Sequence, residues 1–287
     1  MLPRNLQTGL IALVLGAVAI GFAPIFVRLS DVGPVATAFY RLSLSLPVFA
    51  VMALPAVLPA GRRGWAGCGL AGLFFAGDLS VWHVGILLTS VANASLFTNL
   101  APVFVTLGLW LIWGQRPSRR FVLALAVSLA GAVLLVAGSL QFSAGRLAGD
   151  GLSVLSGAFY GAYILAVGRS RAGVPAAVLM LWSGLVASAV LLPVALALGE
   201  QVLPQTLDGW AVVLALALVS QVAGQGLIAW GLAHVPANLG SLVLLLQPAV
   251  AALVALGLFG EVLRGPEILG AAVILAGIHI ARKARST

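Results

Sequence analysis

Long apolar stretches alternate with short polar or charged segments along the whole chain. An apolar stretch of roughly 17 to 25 residues is long enough to cross a bilayer core of about 30 Å as a helix. This pattern indicates an all-α membrane protein. Ten transmembrane helices are predicted, at about 9–28, 35–56, 65–87, 91–112, 119–139, 150–168, 175–197, 209–232, 237–259 and 265–281.

The composition agrees with a chain that faces lipid. Hydrophobic residues make up 62% of the sequence and charged residues 8%, whereas soluble domains are roughly 45–50% apolar and about 25% charged. A soluble core cannot bury this much apolar surface. The first apolar stretch has a counterpart in the second half, so we expect a retained helix and not a cleaved signal peptide.

The two halves of the chain repeat one another. Four residues of the first half have counterparts 146 positions later in the second half. Pro102, Gly114, Gln115 and Gly131 are matched by Pro248, Gly260, Glu261 and Gly277. A period of half the chain is typical of secondary transporters built from internal repeats. We therefore predict two five-helix units, residues 1–142 and 143–287.

The basic residues predict the orientation. With the N-terminus in the cytoplasm, 11 of the 15 Lys and Arg residues fall in cytoplasmic segments, as the positive-inside rule requires. Both termini are then cytoplasmic. Because each half has an odd number of spans, the second half enters the bilayer from the opposite side, so the two repeats are inverted.

Several enzyme and binding classes do not fit the sequence. The net charge of +8 comes from short clusters between spans, without the interleaved aromatic residues that stack on bases, so a nucleic-acid partner is not expected. The chain lacks a Gly-x-x-x-x-Gly-Lys phosphate loop and a His-Glu-x-x-His zinc motif. Gly77-Asp78 and Gly149-Asp150 lack the first glycine of the intramembrane aspartyl protease motif.

Cofactors and metals are not expected either. Cys68 is the single cysteine, and the three histidines, His83, His234 and His279, lack the spacing of metal ligands.

The third span carries polar residues at membrane depth. Asp78, Trp82 and His83 follow one another closely there, with Asp78 and Trp82 on one helical face. A charge at a helix centre costs about 2.5–3.5 kcal/mol on insertion scales. These side chains should therefore face protein or water, either as part of a substrate site or in structural contacts.

The eighth span, the repeat mate of the third, carries Gln221 and Gln225 on one face. Amides at such positions also act as contacts between helices. Arg41, about two turns into the second span, either snorkels outward or attracts a carboxylate.

Proline interrupts the fourth and ninth spans at equivalent positions. Asn99 lies just before Pro102, and Ser241 lies before Pro248. Proline removes a helical hydrogen bond and loosens the preceding turn. We predict that the two prolines are hinges and that Asn99 and Ser241 line a cavity, with a static, self-bonded kink as the alternative.

Aromatic residues of the sixth and seventh spans, including Tyr163 and Trp182, could stack on a planar substrate or pack between helices. The predicted substrate-binding residues are Trp82, His83, Asp78, Asn99, Tyr163, Trp182, Gln225 and Ser241.

The repeat signature, with a proline-kinked helix, then Gly114-Gln115 or Gly260-Glu261, then a last span with Gly131 or Gly277, resembles the drug/metabolite transporter superfamily and its EamA-type members. Within it, Trp82-His83 resembles a pair in the YddG-type aromatic amino acid exporters, where the pair belongs to the central cavity. The resemblance implies a multi-pass protein of the bacterial inner membrane that exports amino acids by alternating access.

Other cargoes remain open at this point, among them a nucleotide-sugar, a cationic drug or another small metabolite. A channel or a sensor would lack exchange of substrate across the membrane. The expected partners are a small molecule and the lipid bilayer, and the oligomeric state is left open, a monomer included.

The topology predicts that reporter fusions placed after Arg63 and after Arg120 will read as cytoplasmic, because both positions lie in basic loops. Paired phosphatase and fluorescent-protein fusions measure this directly. A periplasmic signal at either position would refute the inverted arrangement.

Overall fold

The computed structural model describes residues 4–54, 58–59, 61–140, 143–171, 173–259 and 265–283. Within these ranges the regular secondary structure is helical. The α-helices are α1 (Arg4–Gly21), α2 (Ala23–Leu29), α3 (Pro34–Ser43), α4 (Leu46–Ala53), α5 (Gly61–Leu88), α6 (Val91–Thr98), α7 (Ala101–Trp113), α8 (Arg119–Val136), α9 (Leu147–Ser170), α10 (Ala176–Ala197), α11 (Leu207–Ala215), α12 (Gly226–Gly231), α13 (Ala237–Val243), α14 (Leu246–Phe259) and α15 (Gly265–Arg282), with a π-helix over Leu216–Gln225 between α11 and α12.

The predicted ten spans are confirmed in the described part of the chain. Ten helical segments there are long and apolar enough to cross a membrane. They are Asn5–Leu29, Pro34–Ala53, Gly61–Trp82, Asn93–Trp113, Arg119–Val136, Ala144–Ser170, Ala176–Ala197, Leu207–Gly231, Ala237–Val254 and Gly265–Arg282.

The spans alternate in direction. On the side where the chain begins, which we call the inner side, Gly9 at the start of the first span packs against His234 beyond the eighth. On the opposite, outer side, the backbone N–H of Gly33 donates to the carbonyl of Gln201 at 2.9 Å. Contacts therefore join inner ends to inner ends and outer ends to outer ends.

Four spans are broken near a proline. The first, second, fourth and ninth spans each consist of two helices, and a proline lies in the first turn of the second helix: Pro24, Pro47, Pro102 and Pro248. Proline fixes the backbone and lacks an N–H donor, so it favours a helix start and interrupts the hydrogen bonding before it. The predicted interruptions at Pro102 and Pro248 are confirmed, while their role as hinges stays a prediction.

The contacts between helices are related by the repeat: a contact made by one half has an equivalent when the two halves are interchanged. The sixth span, α9, packs along the third, α5, and the first span packs along the eighth in the equivalent way. The second span contacts the seventh, and the fifth contacts the tenth. In each of these pairs the two spans hold equivalent positions in the two repeats. This arrangement is consistent with two inverted repeats, although the division of the chain after residue 142 stays a prediction.

Glycines bring the fifth and tenth spans into backbone contact. A methyl group added at Gly131 in α8 would lie 2.7 Å from the carbonyl oxygen of Gly270 in α15. The repeat mates of these two residues meet as well, since a methyl at Gly277 would lie 2.9 Å from the carbonyl oxygen of Ala124. Small residues are the usual means of close helix packing in lipid, where van der Waals contact drives association.

The outer ends of the two halves are tied together by carboxylates. Glu200, after α10, accepts from the backbone N–H groups of Val35 and Ala36 at 3.2 and 2.8 Å, which caps the N-terminus of α3. Asp31, before α3, accepts in return from the N–H and hydroxyl of Thr206 at 3.2 and 3.1 Å, ahead of α11. Free N–H groups at helix N-termini favour such acceptors. We call these contacts the outer clasp.

We expect Gly131→Ala to destabilise the protein, because the new methyl group meets backbone atoms of α15 that cannot move independently. Overpacking of this kind costs about 1–3 kcal/mol. Thermal unfolding of the purified protein in detergent should show a lower midpoint. Gly257→Ala in α14 is the control, since nothing lies within 4 Å of the added methyl there. Equal midpoints for the two variants would contradict close packing of α8 on α15.

Candidate functional site

Arg41 lies inside the helix bundle. It is seven residues beyond Pro34 at the outer end of α3, about 10 Å along the helix at 1.5 Å per residue, and only 9% of its surface is exposed. Its Nε–H donates to Oε1 of Gln221 in the π-helix at 3.0 Å. The snorkelling alternative for Arg41 is therefore wrong: the guanidinium points into the protein and joins the second span to the eighth.

A stack of three aromatic rings borders Arg41. The ring of Tyr163 lies between those of Phe75 and Tyr160, with centroid distances of 4.5 and 6.0 Å and interplanar angles of 19° and 13°. The guanidinium carbon of Arg41 is 5.6 Å from the centroid of Phe75. Tyr163 is 1% exposed and its hydroxyl approaches the sulfur of Met180 at 3.9 Å. The aromatic rings thus form a wall beside a buried cation.

Asp78 supplies a carboxyl group to the same region. It lies ten residues before the outer end of α5, about 15 Å along the helix, and is 6% exposed. Its Oδ1 accepts from the hydroxyl of Ser156 in α9 at 2.6 Å. Arg41 and Asp78 do not form an ion pair at contact distance, although each acts electrostatically on the other and both act on Tyr160 and Tyr163.

Two amides complete this region with hydrogen-bonding capacity that the protein leaves unused. Gln225 is fully buried, and neither its Nε2 nor its Oε1 has a partner at hydrogen-bond geometry, although the phenols of Tyr160 and Tyr163 are nearby. Nε2 of Gln247 is also buried without a partner. Buried polar atoms are nearly always bonded, so a region with two such amides is a candidate binding site.

We call this group of residues the central cluster: Arg41, Phe75, Asp78, Ser156, Tyr160, Tyr163, Gln221, Gln225 and Gln247. It draws on both halves of the chain. Of the predicted binding residues, it contains Asp78, Tyr163 and Gln225.

The other predicted residues have different surroundings. Trp82 is half-buried, one turn beyond Asp78 in α5. His83 lies in α5, but its side chain is outside the described part of the structure. Asn99 is half-buried at the C-terminal end of α6, in the break before α7. Ser241 is buried and donates to the carbonyl of Asn238 in its own helix at 2.9 Å.

Trp182 lies away from the central cluster. Its ring packs edge-on against Trp65 at a centroid distance of 4.6 Å, and Trp65 is in the second turn of α5 on the inner side. Asp78 is 13 residues further along the same helix, about 20 Å at 1.5 Å per residue. The contact of Trp182 with substrate stays a prediction, at a position nearer the inner side than the central cluster.

A second polar group lies at the outer end of α9. Oδ1 of Asp150 accepts from the hydroxyl of Thr89 at 2.5 Å and from Nδ2 of Asn93 at 3.1 Å. The hydroxyls of Thr98 and Ser156 lie 3.2 Å apart. Polar side chains of α6 and α9 therefore lead from this outer carboxylate towards Asp78.

The inner side has a cavity between the halves. It measures about 180 Å³ and is bordered by α7 and α9 on one side and by the start of α13 on the other, with Gln115 at its edge. The guanidinium of Arg169 lies 4.7 Å from the ring centroid of Trp113 there.

Comparison with known proteins places the chain in a family. The sequence profile of the EamA-like transporter family matches residues 7–137 and again residues 147–282. The chain belongs to the EamA-like transporter family. This EamA-like protein is a multi-pass membrane transporter and not an enzyme, and the twofold match agrees with the repeat seen in its sequence.

Two relatives extend along nearly the whole EamA-like chain. An uncharacterized transporter from Archaeoglobus fulgidus is 29% identical over 280 residues, covering 97% of each chain. A solved crystal structure is similar with a TM-score of 0.80 over 99% of each chain at 20% sequence identity. At this identity the structural likeness establishes the fold.

Arg41, Gln221 and Ser156 are not among the binding residues that the sequence predicts. The sequence places Gln221 on one helical face with Gln225 and shows Arg41 as a charge within a span. No local sequence feature predicts the contact between Arg41 and Gln221, which lie 180 positions apart. The feature that could have identified Arg41 is its place within a span, since an intramembrane arginine is expected to face the bundle interior.

We expect Gln225→Leu to raise the thermal stability of the protein and to lower its transport. The buried amide has no partner at hydrogen-bond geometry, and an unsatisfied buried polar group costs about 1–3 kcal/mol, which an apolar side chain of similar size avoids. The measurement pairs thermal unfolding in detergent with transport in liposomes.

Gln221→Leu is the matched control for Gln225→Leu, because it removes the acceptor of Arg41 and should lower stability. A loss of stability in Gln225→Leu comparable to that of Gln221→Leu would show that the Gln225 amide is a structural contact.

Proposed function

We propose that this EamA-like transporter exports amino acids, including aromatic ones, across the bacterial inner membrane by alternating access. The observation that carries the proposal is the central cluster, in which a buried cation, a buried carboxyl group and stacked aromatic rings lie at mid-membrane depth. Substrate sites of transporters with inverted repeats lie near the midplane where the repeats meet.

The cluster matches an amphoteric cargo. An amino acid carries a carboxylate and an ammonium group on one carbon, and both need polar partners when they leave water. Arg41 and Asp78 offer charges of opposite sign, and the amide of Gln225 and Nε2 of Gln247 have no partner at hydrogen-bond geometry. A Phe or Trp side chain gains from contact with the aromatic wall of Phe75, Tyr163 and Tyr160.

Seven of the eight predicted substrate-binding residues, all except Trp182, enter the proposal in two groups. Asp78, Tyr163 and Gln225 belong to the central cluster, and Trp82 and His83 continue the same face and flank of α5 towards the outer side. Asn99 and Ser241 lie beside the helix breaks at Pro102 and Pro248, where motion would change their exposure. The narrower resemblance of Trp82-His83 to the YddG-type exporters supports aromatic amino acids as cargo.

Alternating access fits the distribution of breaks and closures. Four broken spans give places where the backbone can bend, and such breaks are tolerated in a bilayer where protein covers them. The outer clasp involves half-buried carboxylates and loop residues at the outer ends of the spans, so it can open without disturbing the core. We propose that opening the clasp and bending at Pro102 and Pro248 expose the central cluster to the outer side.

A cationic drug is the second candidate cargo, because Asp78 beside aromatic rings is a suitable environment for a cation. Arg41 disfavours it, since a second positive charge in the same buried cluster repels a cation that has no carboxylate.

The test is counterflow in liposomes loaded with unlabelled Phe, Trp, Thr or an organic cation, with uptake of the matching labelled compound. We expect exchange of aromatic amino acids, reduced at least tenfold in His83→Ala and in Asp78→Asn at unchanged expression. His279→Ala, at an exposed position of α15, controls for the loss of a histidine.

Exchange of the cation alone would keep the fold and refute the cargo. Full activity in His83→Ala would remove His83 from the site.

A further inference from the structure

We propose that Arg41 binds the carboxylate of the cargo and that Gln221 positions its guanidinium for this, so that the transporter selects molecules by their carboxylate. This inference rests on the proposed function in one respect, namely that cargo binds at the central cluster. It adds the group that recognises the cargo and the residue that orients that group.

The hydrogen bonding of Arg41 leaves the carboxylate-binding part of its side chain available. A guanidinium has five N–H donors in a fixed planar fork. Within the described part of the chain, the side-chain hydrogen bond of Arg41 is the one from Nε to Gln221. The two terminal nitrogens have no hydrogen-bond partner there, and they are the edge that binds a carboxylate in bidentate fashion.

Gln221 holds the plane of the guanidinium. Its Oε1 accepts from Nε at 3.0 Å, and its side chain is 2% exposed in the π-helix of the eighth span. A π-helix is uncommon and occurs often at functional sites. Because the plane is set from the eighth span while Arg41 itself is on the second, the geometry of this edge depends on the position of both halves of the molecule.

The separation of Arg41 and Asp78 supports a ligand role over a structural one. Two buried charges of opposite sign that serve stability are expected to pair, since each unpaired charge in a low-dielectric region is costly. Here Asp78 bonds Ser156 and Arg41 bonds Gln221, and they do not pair with each other. A zwitterion placed between them would pair with both.

The unbonded amides are an independent observation at the same place. Gln225 is fully buried with both amide atoms unpartnered, and Nε2 of Gln247 is unpartnered too. Gln225 lies one turn from Gln221 on the same helix. A bound molecule with polar oxygen and nitrogen atoms would satisfy these amides as well as the free edge of Arg41.

The test compares three labelled compounds of one shape: phenylalanine, phenylalanine amide, which lacks the carboxylate, and 3-phenylpropionate, which lacks the ammonium group. Counterflow KM values are measured in liposomes for the wild type, Arg41→Gln, Arg41→Lys, Gln221→Leu and His279→Ala. Ligand-induced shifts of the unfolding midpoint in detergent give a second readout that requires no transport.

We expect the wild type and His279→Ala to prefer phenylalanine over its amide. In Arg41→Gln the KM for phenylalanine should rise at least tenfold while that for the amide rises little, so the preference disappears. Arg41→Lys should restore part of it, because lysine keeps the charge and loses the bidentate fork. Gln221→Leu should raise the KM for phenylalanine and that for 3-phenylpropionate by a similar factor, as expected when the guanidinium of Arg41 loses its positioning.

The outcomes separate this inference from the proposed function. Transport of 3-phenylpropionate but no amino acid, lost in Arg41→Gln, would overturn the proposed cargo and leave Arg41 as the carboxylate-binding residue. Transport of phenylalanine with an unchanged preference over the amide in Arg41→Gln would leave the function and overturn the role of Arg41. If Arg41→Gln does not fold, the same comparison is made in Arg41→Lys. If no compound is exchanged, the absence of a carboxylate-dependent shift of the wild-type unfolding midpoint overturns the inference.

Discussion

The lipid bilayer offers no hydrogen-bond partners, so every polar group within this chain must find its partner inside the protein. This constraint explains where the irregular features of the fold lie. The helix break before Pro102 is covered by α9, where Gly157 comes so close that an added methyl would lie 2.9 Å from the carbonyl of Phe97. The polar side chains of α6 and α9 meet each other at the same contact, through Thr98 and Ser156.

Glycine makes these contacts possible throughout the bundle. In lipid, apolar side chains gain little from leaving their solvent, so association depends on close van der Waals packing and on hydrogen bonds. Gly16 of α1 packs on the backbone of Gly224 in the π-helix, and Gly157 and Gly161 of α9 pack on α6 and α7. The first and sixth spans, which are repeat mates, thus both use glycine for close packing, the first on the eighth span and the sixth on the fourth.

The central cluster departs from the general rule that buried polar groups are satisfied. Arg41 and Asp78 each have one side-chain partner, and Gln225 has none at hydrogen-bond geometry. A protein selected for stability alone would remove such groups, because unsatisfied polar atoms destabilise the folded state. Their presence between the two halves, with the outer clasp closed above them, is the physical reason for regarding the cluster as the cargo site.

The amino-acid sequence by itself determined the ten spans, their alternating direction and the internal repeat, because long apolar runs, basic loops and matched Gly and Pro positions are local features that lipid enforces strongly. It also indicated Asp78, Tyr163 and Gln225, since a polar or aromatic residue within a span is visible in the sequence.

Only the tertiary structure decided that Arg41 turns inward to Gln221, that Ser156 bonds Asp78, that Trp182 packs on Trp65 and that part of the eighth span is a π-helix. These depend on which helix faces which across 78 to 180 positions of sequence, and on how closely glycine lets the backbones approach. An isolated span cannot specify either, because its polar residues fit a structural contact and a binding site equally well until their partners are known.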